Sequence, residues 1–311
     1  MITLTGLTKR YGRTTAVDEL TVSVRPGVVT GFLGPNGAGK STTMRMIVGL
    51  DRPTAGTALI DGRPYPALRD PLREVGALLD TTVAHPGRTA TAHLAAIAAA
   101  GRIPRRRVAE VLELVGLTAV AGRRTRDFSL GMTQRLGIAA ALLGDPPVLL
   151  FDEPVNGLDP DGVRWIRGLI RSLAAEGRTV LVSSHLMSEM EDTADQLIVL
   201  GRGRLIADAP LPAVIAAASR NAIRVRTPEP GRFAAALRDT GWAVEIRSDH
   251  ELLISGATLV ELGDLAFRHQ VRLHELATRS ASLEEAYLEL TGDSVDYRAE
   301  PVPSSEQEPR R

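Results

Sequence analysis

Hydrophobic positions along the first two thirds of the chain follow two alternating periodicities. Short apolar runs rich in β-branched residues predict buried strands, and amphipathic segments between them predict helices. The predicted strands include 28–33, 148–151 and 179–183, and the predicted helices include 40–50 and 159–175. Strands that alternate with helices in this way are typical of an α/β fold with a largely parallel sheet.

A different pattern occupies residues 84–140, where strand-like runs are absent and segments rich in alanine and leucine follow one another. These segments predict helices at 91–100, 105–115 and 129–143. We therefore predict a helical subdomain that is inserted into the sheet domain.

The pattern changes again after residue 209, where Pro210 and Pro212 interrupt the chain. The segments that follow predict the order βαββαβ, which is the ferredoxin-like arrangement. The strands of this arrangement are predicted at 222–227, 242–247, 251–255 and 271–277, and the helices at 232–240 and 259–269. We expect a first domain over residues 1–209 and a small α+β domain over residues 210–292.

The predicted last helix begins at Ser282, which precedes Glu285 at the spacing of a capping box, and ends at Gly292. We interpret its apolar face as packing on its own domain, with a contact to a second subunit as the alternative. This face carries Leu283, Tyr287 and Leu290. The tail at 293–311 is charged and proline-rich, and we predict that it is disordered.

Composition narrows the possible functions. The 311 residues are 44% hydrophobic, which supplies the cores that two domains need. No run approaches the roughly 18 apolar residues of a membrane helix, and the N-terminus lacks a signal-peptide pattern, so we expect a protein of the cytosol. Cysteine is absent, which excludes disulfides and thiol chemistry, and the net charge of +0 argues against nonspecific nucleic-acid binding.

The strongest motif follows the predicted strand 28–33. The sequence GPNGAGKS at 34–41 fits the pattern G-x-x-x-x-G-K-[ST] and leads into a predicted helix. Its glycines let backbone N–H groups converge on a phosphate, while Lys40 and Ser41 supply an ammonium for the β- and γ-phosphates and a hydroxyl for Mg²⁺. The residues predicted to bind nucleotide are Gly34, Pro35, Asn36, Gly37, Ala38, Gly39, Lys40, Ser41 and Thr42.

An ordinary glycine-rich turn with an exposed lysine is the alternative interpretation of this loop. Lysine is rare in the chain, because only Lys9 and Lys40 occur among 37 basic residues. A chance match to the motif is therefore on the order of a few in a thousand. Nucleotide binding is the prediction that we retain.

Two adjacent acids end the predicted strand 148–151. The side chains of Asp152 and Glu153 should point in different directions, since side chains alternate along a strand. We predict that Asp152 holds Mg²⁺ and that Glu153 polarises the water that attacks the γ-phosphate. A charged strand end wetted by solvent is the alternative.

A further motif identifies the family that the chain resembles. Residues 128–132 read FSLGM and are followed by Gln134 and Arg135, which resembles the L-S-G-G-Q signature of ATP-binding cassette ATPases. The resemblance covers about residues 1–211. It implies that Ser129 and Gly131 of one subunit cover the γ-phosphate that another subunit binds. Leu130 and Met132 depart from the usual glycine and glutamine.

Three more positions match the pattern of this family. Asp159, in NGLD at 156–159, resembles the loop that crosses to the partner subunit. His185, after the predicted strand 179–183, resembles the histidine that touches the γ-phosphate, and Tyr11 resembles the aromatic residue that stacks on adenine. A surface histidine and a half-buried strand tyrosine are the alternatives at the last two positions.

Asp80 is the clearest departure from the family pattern, because the resemblance places glutamine at this position. The family residue reaches Mg²⁺ and reports the nucleotide state to the membrane subunit. A carboxylate is shorter and charged. Our hypothesis is that Asp80 contributes to the metal site and still couples that site to the partner.

The resemblance implies an ATPase that works as a dimer with two ATP molecules at its interface. It further implies a separate multi-spanning permease, contacted by residues 81–117, which would hold the subunit on the inner face of the membrane. The whole chain, including residues 282–292, resembles ATP-binding subunits of bacterial antibiotic and drug exporters. A soluble cassette protein acting on ribosomes or DNA and a phosphoryl-transferring kinase are the alternatives; neither fits a single cassette that has this signature and no basic surplus.

Overall fold

The computed structural model describes residues 1–79, 84–218, 222–279 and 282–291. The predictions made for Asp80, for Gly292 and for the tail at 293–311 lie outside the described residues. Within the described residues, no helix combines the length and the apolar character needed to cross a bilayer.

Two sheets form the first part of the protein. A three-stranded antiparallel sheet, in the order β2-β1-β4, consists of β1 (Ile2–Tyr11), β2 (Thr14–Val24) and β4 (Ala55–Ile60). A six-stranded sheet has the order β5-β6-β7-β3-β8-β9. Its strands are β3 (Val29–Leu33), β5 (Val75–Leu78), β6 (Val148–Asp152), β7 (Thr179–Ser184), β8 (Gln196–Gly201) and β9 (Arg204–Pro210). Neighbouring strands from β5 to β8 in this order pair in parallel, and β9 pairs antiparallel with β8.

Helices cover both faces of the six-stranded sheet. The helices of the first part are α1 (Lys40–Ile47), α2 (Pro71–Glu74), α3 (Ala90–Ala100), α4 (Arg106–Leu114), α5 (Leu130–Leu142), α6 (Pro160–Ala175), α7 (Met187–Glu191) and α8 (Leu211–Ala218). Helices α3, α4 and α5 follow one another between β5 and β6, where the sequence predicts the helical insertion. The predicted α/β class is confirmed.

Side-chain alternation along β6 shows why this sheet is buried on both faces. Leu149 and Phe151 pack into one hydrophobic core, and Val148 and Leu150 pack into the other. A parallel sheet covered on two sides needs such continuous apolar strands. The carboxyl ends of β3, β6 and β7 consequently meet at one rigid edge of the sheet.

The later part of the chain contains a separate antiparallel sheet in the order β11-β12-β10-β13. Its elements are β10 (Ile223–Arg226), α9 (Pro230–Ala236), β11 (Ala243–Ser248), β12 (Glu251–Ser255), α10 (Leu259–Arg268) and β13 (Glu275–Thr278). The order βαββαβ is the one expected from the sequence. This sheet has a hydrophobic core of its own, which includes Val225, Phe233 and Leu262.

The last helix, α11 (Leu283–Thr291), packs away from that sheet. Leu283 and Tyr287 lie in the same core as Leu149 and Phe151 of β6, and α11 contacts α7 and α8. The helix therefore contacts α8, which lies inside the predicted range 210–292, and also packs on the core of the first domain. The side chain of Leu290 lies outside the described residues.

Helix α8 also belongs to the first core, through Leu211 and Val214. The Leu211 N–H donates to the Asp195 carbonyl at 3.0 Å, which ties the start of α8 to the turn before β8. A boundary at residue 209 therefore does not coincide with a boundary between hydrophobic cores.

Candidate functional site

The predicted phosphate loop joins β3 to α1, and its backbone requires glycine at two points. A Cβ on Gly39 would lie 2.5 Å from the Ala16 carbonyl oxygen, and Gly39 has a φ of 101°. A Cβ on Gly34 would lie 2.7 Å from the Leu200 carbonyl oxygen. The loop thus lies so close to neighbouring backbone that a residue with a side chain at either position would clash, and at Gly39 it would also be strained by the positive φ.

The loop leads directly into the first turn of α1. Gly39 is the N-cap and has no side chain to occupy the free N–H groups there, and the first turn contains no acidic residue. Such a helix start favours an anion, because unpaired N–H groups and the helix dipole both point toward it. The other predicted phosphate-binding positions along this segment are Pro35, Asn36, Gly37, Ala38, Ser41 and Thr42.

Lys40 is buried although it carries a charge; only 6% of its side chain is exposed. Its Nζ donates to the carbonyls of Gly34 at 2.6 Å and Pro35 at 3.3 Å, and lies 4.0 Å from Glu153 Oε1. Desolvation lowers the pKa of Lys40, while the charges of Glu153 and Asp152 oppose that effect. The ammonium is held where the loop and the end of β6 meet.

Asp152 and Glu153 are both tied to β7 by Ser183. The Ser183 hydroxyl donates to Asp152 Oδ1 and accepts from the Glu153 N–H at 3.0 Å. Glu153 has a φ of 50°, which is uncommon for a residue other than glycine. The two carboxylates therefore leave the strand in different directions, and Glu153 sits in a strained turn of the kind found at functional sites.

His185 meets Glu153 at this same edge. His185 Nδ1 lies 2.8 Å from Glu153 Oε2. The preceding Ser184 hydroxyl accepts from the Leu186 N–H at 2.9 Å and donates to Glu189 Oε2 at 2.8 Å. Lys40, Glu153 and His185 thus form one constellation built from α1, β6 and β7.

Glu189 is a neighbour that sequence reasoning missed. It is a buried carboxyl on α7, and burial raises its pKa; the Ser184 hydrogen bond opposes this shift, and the charge of Glu153 adds to it. The contact depends on how α7 folds back on the end of β7. The sequence contains no motif that marks it.

Ser129, Gly131 and Asp159 lie at helix starts. Ser129 Oγ accepts from the Met132 N–H at 3.2 Å and caps α5, and Asp159 Oδ1 accepts from the Gly162 N–H at 2.8 Å and caps α6. Across the described part of the chain, no hydrogen bond joins Ser129 or Asp159 to the phosphate loop of the same copy. The fold therefore brings the phosphate loop, the acids after β6 and His185 together, but not these three residues of the same copy.

Gln134 is a second residue whose contacts the sequence did not reveal. It is 1% exposed and sits one turn after the start of α5. Its Nε2 donates to the carbonyls of Glu153 at 3.2 Å and Pro154 at 3.0 Å. The signature helix is thereby bonded to the turn that carries Glu153.

Tyr11 lies apart from the carboxylates, at the end of β1. Tyr11 is 48% exposed, and its hydroxyl donates to Asp51 Oδ2 at 3.0 Å. Lys9 Nζ is 4.8 Å from the ring centroid and donates to the Arg52 carbonyl at 2.8 Å. The tyrosine is anchored near the end of α1 with much of its ring accessible.

Comparisons with known proteins agree with this geometry. The family described as "ABC transporter" matches residues 17–156, and a family described as a domain of unknown function matches residues 221–284. An uncharacterized ABC transporter ATP-binding protein, YhcH of Bacillus subtilis, is 35% identical over 95% of this chain and 97% of its own length.

Two other relatives carry more specific names. The bacitracin transport ATP-binding protein BcrA of Bacillus licheniformis is 42% identical over 68% of this chain and 70% of its own. The Nod factor export ATP-binding protein I of Burkholderia orbicola is 36% identical over 91% of this chain and 94% of its own. The dimeric cassette MJ0796 in a post-hydrolysis state with ADP and Pi superposes with a TM-score of 0.62 at 26% identity, covering 68% of this chain and 99% of that chain.

The fold and the site define a phosphate-loop ATPase. A glycine-rich loop, a buried lysine and an acid–histidine pair meet at the carboxyl edge of a parallel sheet. The chain belongs to the ATP-binding subunits of the ABC transporter family.

Proposed function

We propose that this protein is the ATP-hydrolysing subunit of an exporter, drives a separate membrane permease and serves the efflux of antibiotics or related drugs. The observation that carries the proposal is the constellation of Lys40, Glu153 and His185 at the carboxyl edge of the parallel sheet. A family relative named for bacitracin transport and a full-length relative named for export support the cargo class and the direction.

Each member of the constellation has a distinct task in hydrolysis. The loop N–H groups and Lys40 hold the β- and γ-phosphates. When the nucleotide binds, phosphate oxygens replace the Gly34 and Pro35 carbonyls as hydrogen-bond partners of the Lys40 ammonium. Glu153 takes a proton from water as the water oxygen bonds to the γ-phosphorus, and the bond from that phosphorus to the β–γ bridging oxygen breaks. His185 orients Glu153 and contacts the γ-phosphate.

The residues present also suit Mg²⁺. Ser41 is exposed in the first turn of α1, and Asp152 Oδ1 is fixed by Ser183, so a hydroxyl and a carboxylate oxygen are offered. Magnesium prefers such hard oxygen ligands and takes the remainder from water and phosphate. When bound, the ion neutralises charge on the phosphates; the contribution of Asp80 remains a prediction.

The arrangement of Ser129, Gly131 and Asp159 supports a two-fold dimer. Each lies at a helix start outside the Lys40 constellation of its own copy, where a second copy could supply the nucleotide. In the dimer, Ser129 and Gly131 cover the γ-phosphate bound by the partner. Loss of that phosphate releases the interface, and the opening is the motion that a permease would use.

The permease would bring the protein to the inner face of the cell membrane. The test is affinity purification of the tagged chain from detergent-solubilised membranes of its native host, followed by mass spectrometry. We expect a multi-spanning protein in stoichiometric amount. Recovery with ribosomes, with DNA or without any partner would overturn the exporter proposal and leave the ATPase assignment intact.

A further inference from the structure

Helix α5 combines two contacts that lie one turn apart. Its start presents Ser129 and Gly131, which we have proposed to cover the nucleotide of the partner copy. One turn later, Gln134 donates from Nε2 to the carbonyls of Glu153 and Pro154. One rigid element thus reaches from the nucleotide site of one copy to the catalytic turn of the other.

The turn held by Gln134 is the strained one. Glu153 has a φ of 50°, a strained conformation for a residue other than glycine, which persists only where its surroundings enforce it. The two hydrogen bonds go to the carbonyl of the peptide between Glu153 and Pro154 and to the carbonyl of the next peptide, so they fix the direction of both. The position of the Glu153 carboxylate follows from it.

The first turn of α5 is also in close contact with the loop that follows. A Cβ on Gly131 would lie 3.0 Å from the Gly157 carbonyl oxygen, and a Cβ on Gly157 would lie 2.3 Å from Leu130 Cγ. Contacts this close leave little free space, so a shift of α5 has to move residues 153–157 with it.

Gln134 itself has an unusual feature. It is 1% exposed, yet its Oε1 has no hydrogen-bond partner among the residues that the structure describes. A buried acceptor without a partner is costly, and an apolar side chain of the same length would avoid that cost. The hydrogen bonds from Nε2 to the Glu153 and Pro154 carbonyls explain why an amide occupies this buried position.

We propose that Gln134 is a positioning residue that couples the two nucleotide sites of the dimer. Contact of the α5 start with the partner's γ-phosphate sets the position of α5, and Gln134 passes that position to Glu153 of its own copy. Each site then reaches full activity only when the other is occupied. The inference rests on the dimer proposed above.

The decisive experiment uses mixed dimers in which only one catalytic turn is intact. One copy carries Glu153→Gln, so hydrolysis occurs at the Glu153 of the other copy. Gln134→Glu keeps the size of the side chain but faces the two carbonyls with an oxygen in place of the N–H donor. Placed on the copy with the intact Glu153, it should lower kcat about tenfold with the KM for ATP within about twofold.

Placed on the Glu153→Gln copy, the same substitution should leave kcat within about twofold. A general loosening of α5 would give the opposite result, because it would disturb the signature that acts on the partner's nucleotide. Loss of activity only in that second arrangement would overturn the proposal. Gln134→Met, which also lacks the donor, replaces Gln134→Glu if the latter fails to give a cooperative thermal transition.

Arg135→Gln provides the matched control on the same helix. Arg135 donates to the Val115 carbonyl at 2.9 Å and lies over the Trp165 ring, away from Glu153. We expect it to lower thermal stability without changing cooperativity. Uniform Gln134→Glu dimers should lower the Hill coefficient for ATP toward 1, and a wild-type coefficient of 1 would overturn the coupling.

Ser129→Ala separates this inference from the proposal on which it rests. In the mixed dimer it should lower kcat on the copy opposite the intact Glu153, where the hydroxyl covers the hydrolysed nucleotide. It should also lower kcat on the copy with the intact Glu153, where the hydroxyl is the contact that sets the position of α5. If Ser129→Ala has no effect in either copy, the proposed dimer fails. If Ser129→Ala acts as expected but Gln134→Glu does not, the dimer stands and the coupling role of Gln134 fails.

Discussion

His185 Nδ1 lies 2.8 Å from Glu153 Oε2, although 32 residues separate the two in the chain. The contact exists because β6 and β7 are parallel neighbours whose carboxyl ends are in register, with Asp152 opposite Ser183. Residues that follow the two strands are therefore brought to one point above the phosphate loop. The sheet therefore holds together Glu153, the proposed base, and His185, the imidazole proposed to orient it.

The first prediction concerns the base. Glu153→Gln keeps the size of the side chain and removes its basicity, so hydrolysis should fall by about 100-fold or more while ATP binding persists. ATP should then hold the variant as a dimer, measured by sedimentation with and without ATP. Glu229→Gln, on the separate antiparallel-sheet part, should hydrolyse ATP like the wild type. Wild-type turnover by Glu153→Gln would exclude Glu153 as the base.

The second prediction concerns the shape of the phosphate loop. Gly39→Ala combines a φ of 101° with a methyl group 2.5 Å from the Ala16 carbonyl oxygen, so we expect a loss of at least about 2 kcal/mol in stability and of nucleotide binding. Gly37→Ala shares the positive φ, but its methyl group meets no described atom within 4 Å. Urea unfolding should show a smaller loss for Gly37→Ala; equal losses would show that contact with Ala16 is unimportant.

Much of this site could be predicted from local sequence. The loop at 34–41, the acids after β6 and the histidine after β7 each follow a strand, and strands were identifiable from apolar runs. The contacts of Gln134 and Glu189 were not predictable, because they depend on how α5 and α7 fold back on the sheet. The packing of α11 on the first core was not predictable for the same reason: an apolar helix face indicates burial but not the surface that buries it.

The third prediction concerns His93, a buried residue on α3. Neither ring nitrogen has a hydrogen-bond partner in the described part of the chain, and the residue lines a cavity of about 400 Å³ between α3, α5 and β5. Burial lowers its pKa below the ordinary 6.5, and the charge of Arg88 adds to this. His93 therefore binds a proton more readily in the unfolded chain than in the folded chain, and folding stability falls as pH drops below about 7.

His93→Leu should remove this part of the acid sensitivity. We expect its unfolding free energy to fall less than that of the wild type between pH 7.5 and pH 5.5, in urea titrations at each pH. His250→Leu, at an exposed position, should follow the wild-type profile. Parallel profiles for His93→Leu and the wild type would show that His93 does not titrate differently on folding.

The fourth prediction concerns Glu189, whose pKa is raised above the ordinary 4.5 by burial. A raised carboxyl pKa means that the unfolded chain ionises first, so stability is lost as pH rises from 4.5 through the folded-state pKa. Glu189→Gln keeps an acceptor for the Ser184 hydroxyl and cannot ionise. Its stability relative to the wild type should therefore increase with pH, and a constant or decreasing difference would contradict the shift.

The last prediction concerns Tyr11 and adenine. Tyr11 is 48% exposed, and Lys9 Nζ lies 4.8 Å from the centroid of its ring. Stacking of a base on an aromatic ring contributes about 1–3 kcal/mol. Tyr11→Ala in a Glu153→Gln background, which prevents hydrolysis, should raise the Kd for ATP about tenfold by calorimetric titration.

Tyr11→Phe is the matched control, because it keeps the ring and loses only the hydroxyl that donates to Asp51. Its Kd for ATP should stay within about twofold of the parent, since hydrogen bonds at exposed sites contribute little. If Tyr11→Phe weakens ATP binding as much as Tyr11→Ala does, the hydroxyl and its anchor at Asp51 matter rather than stacking. If neither changes the Kd, Tyr11 is an ordinary strand residue and adenine is held elsewhere.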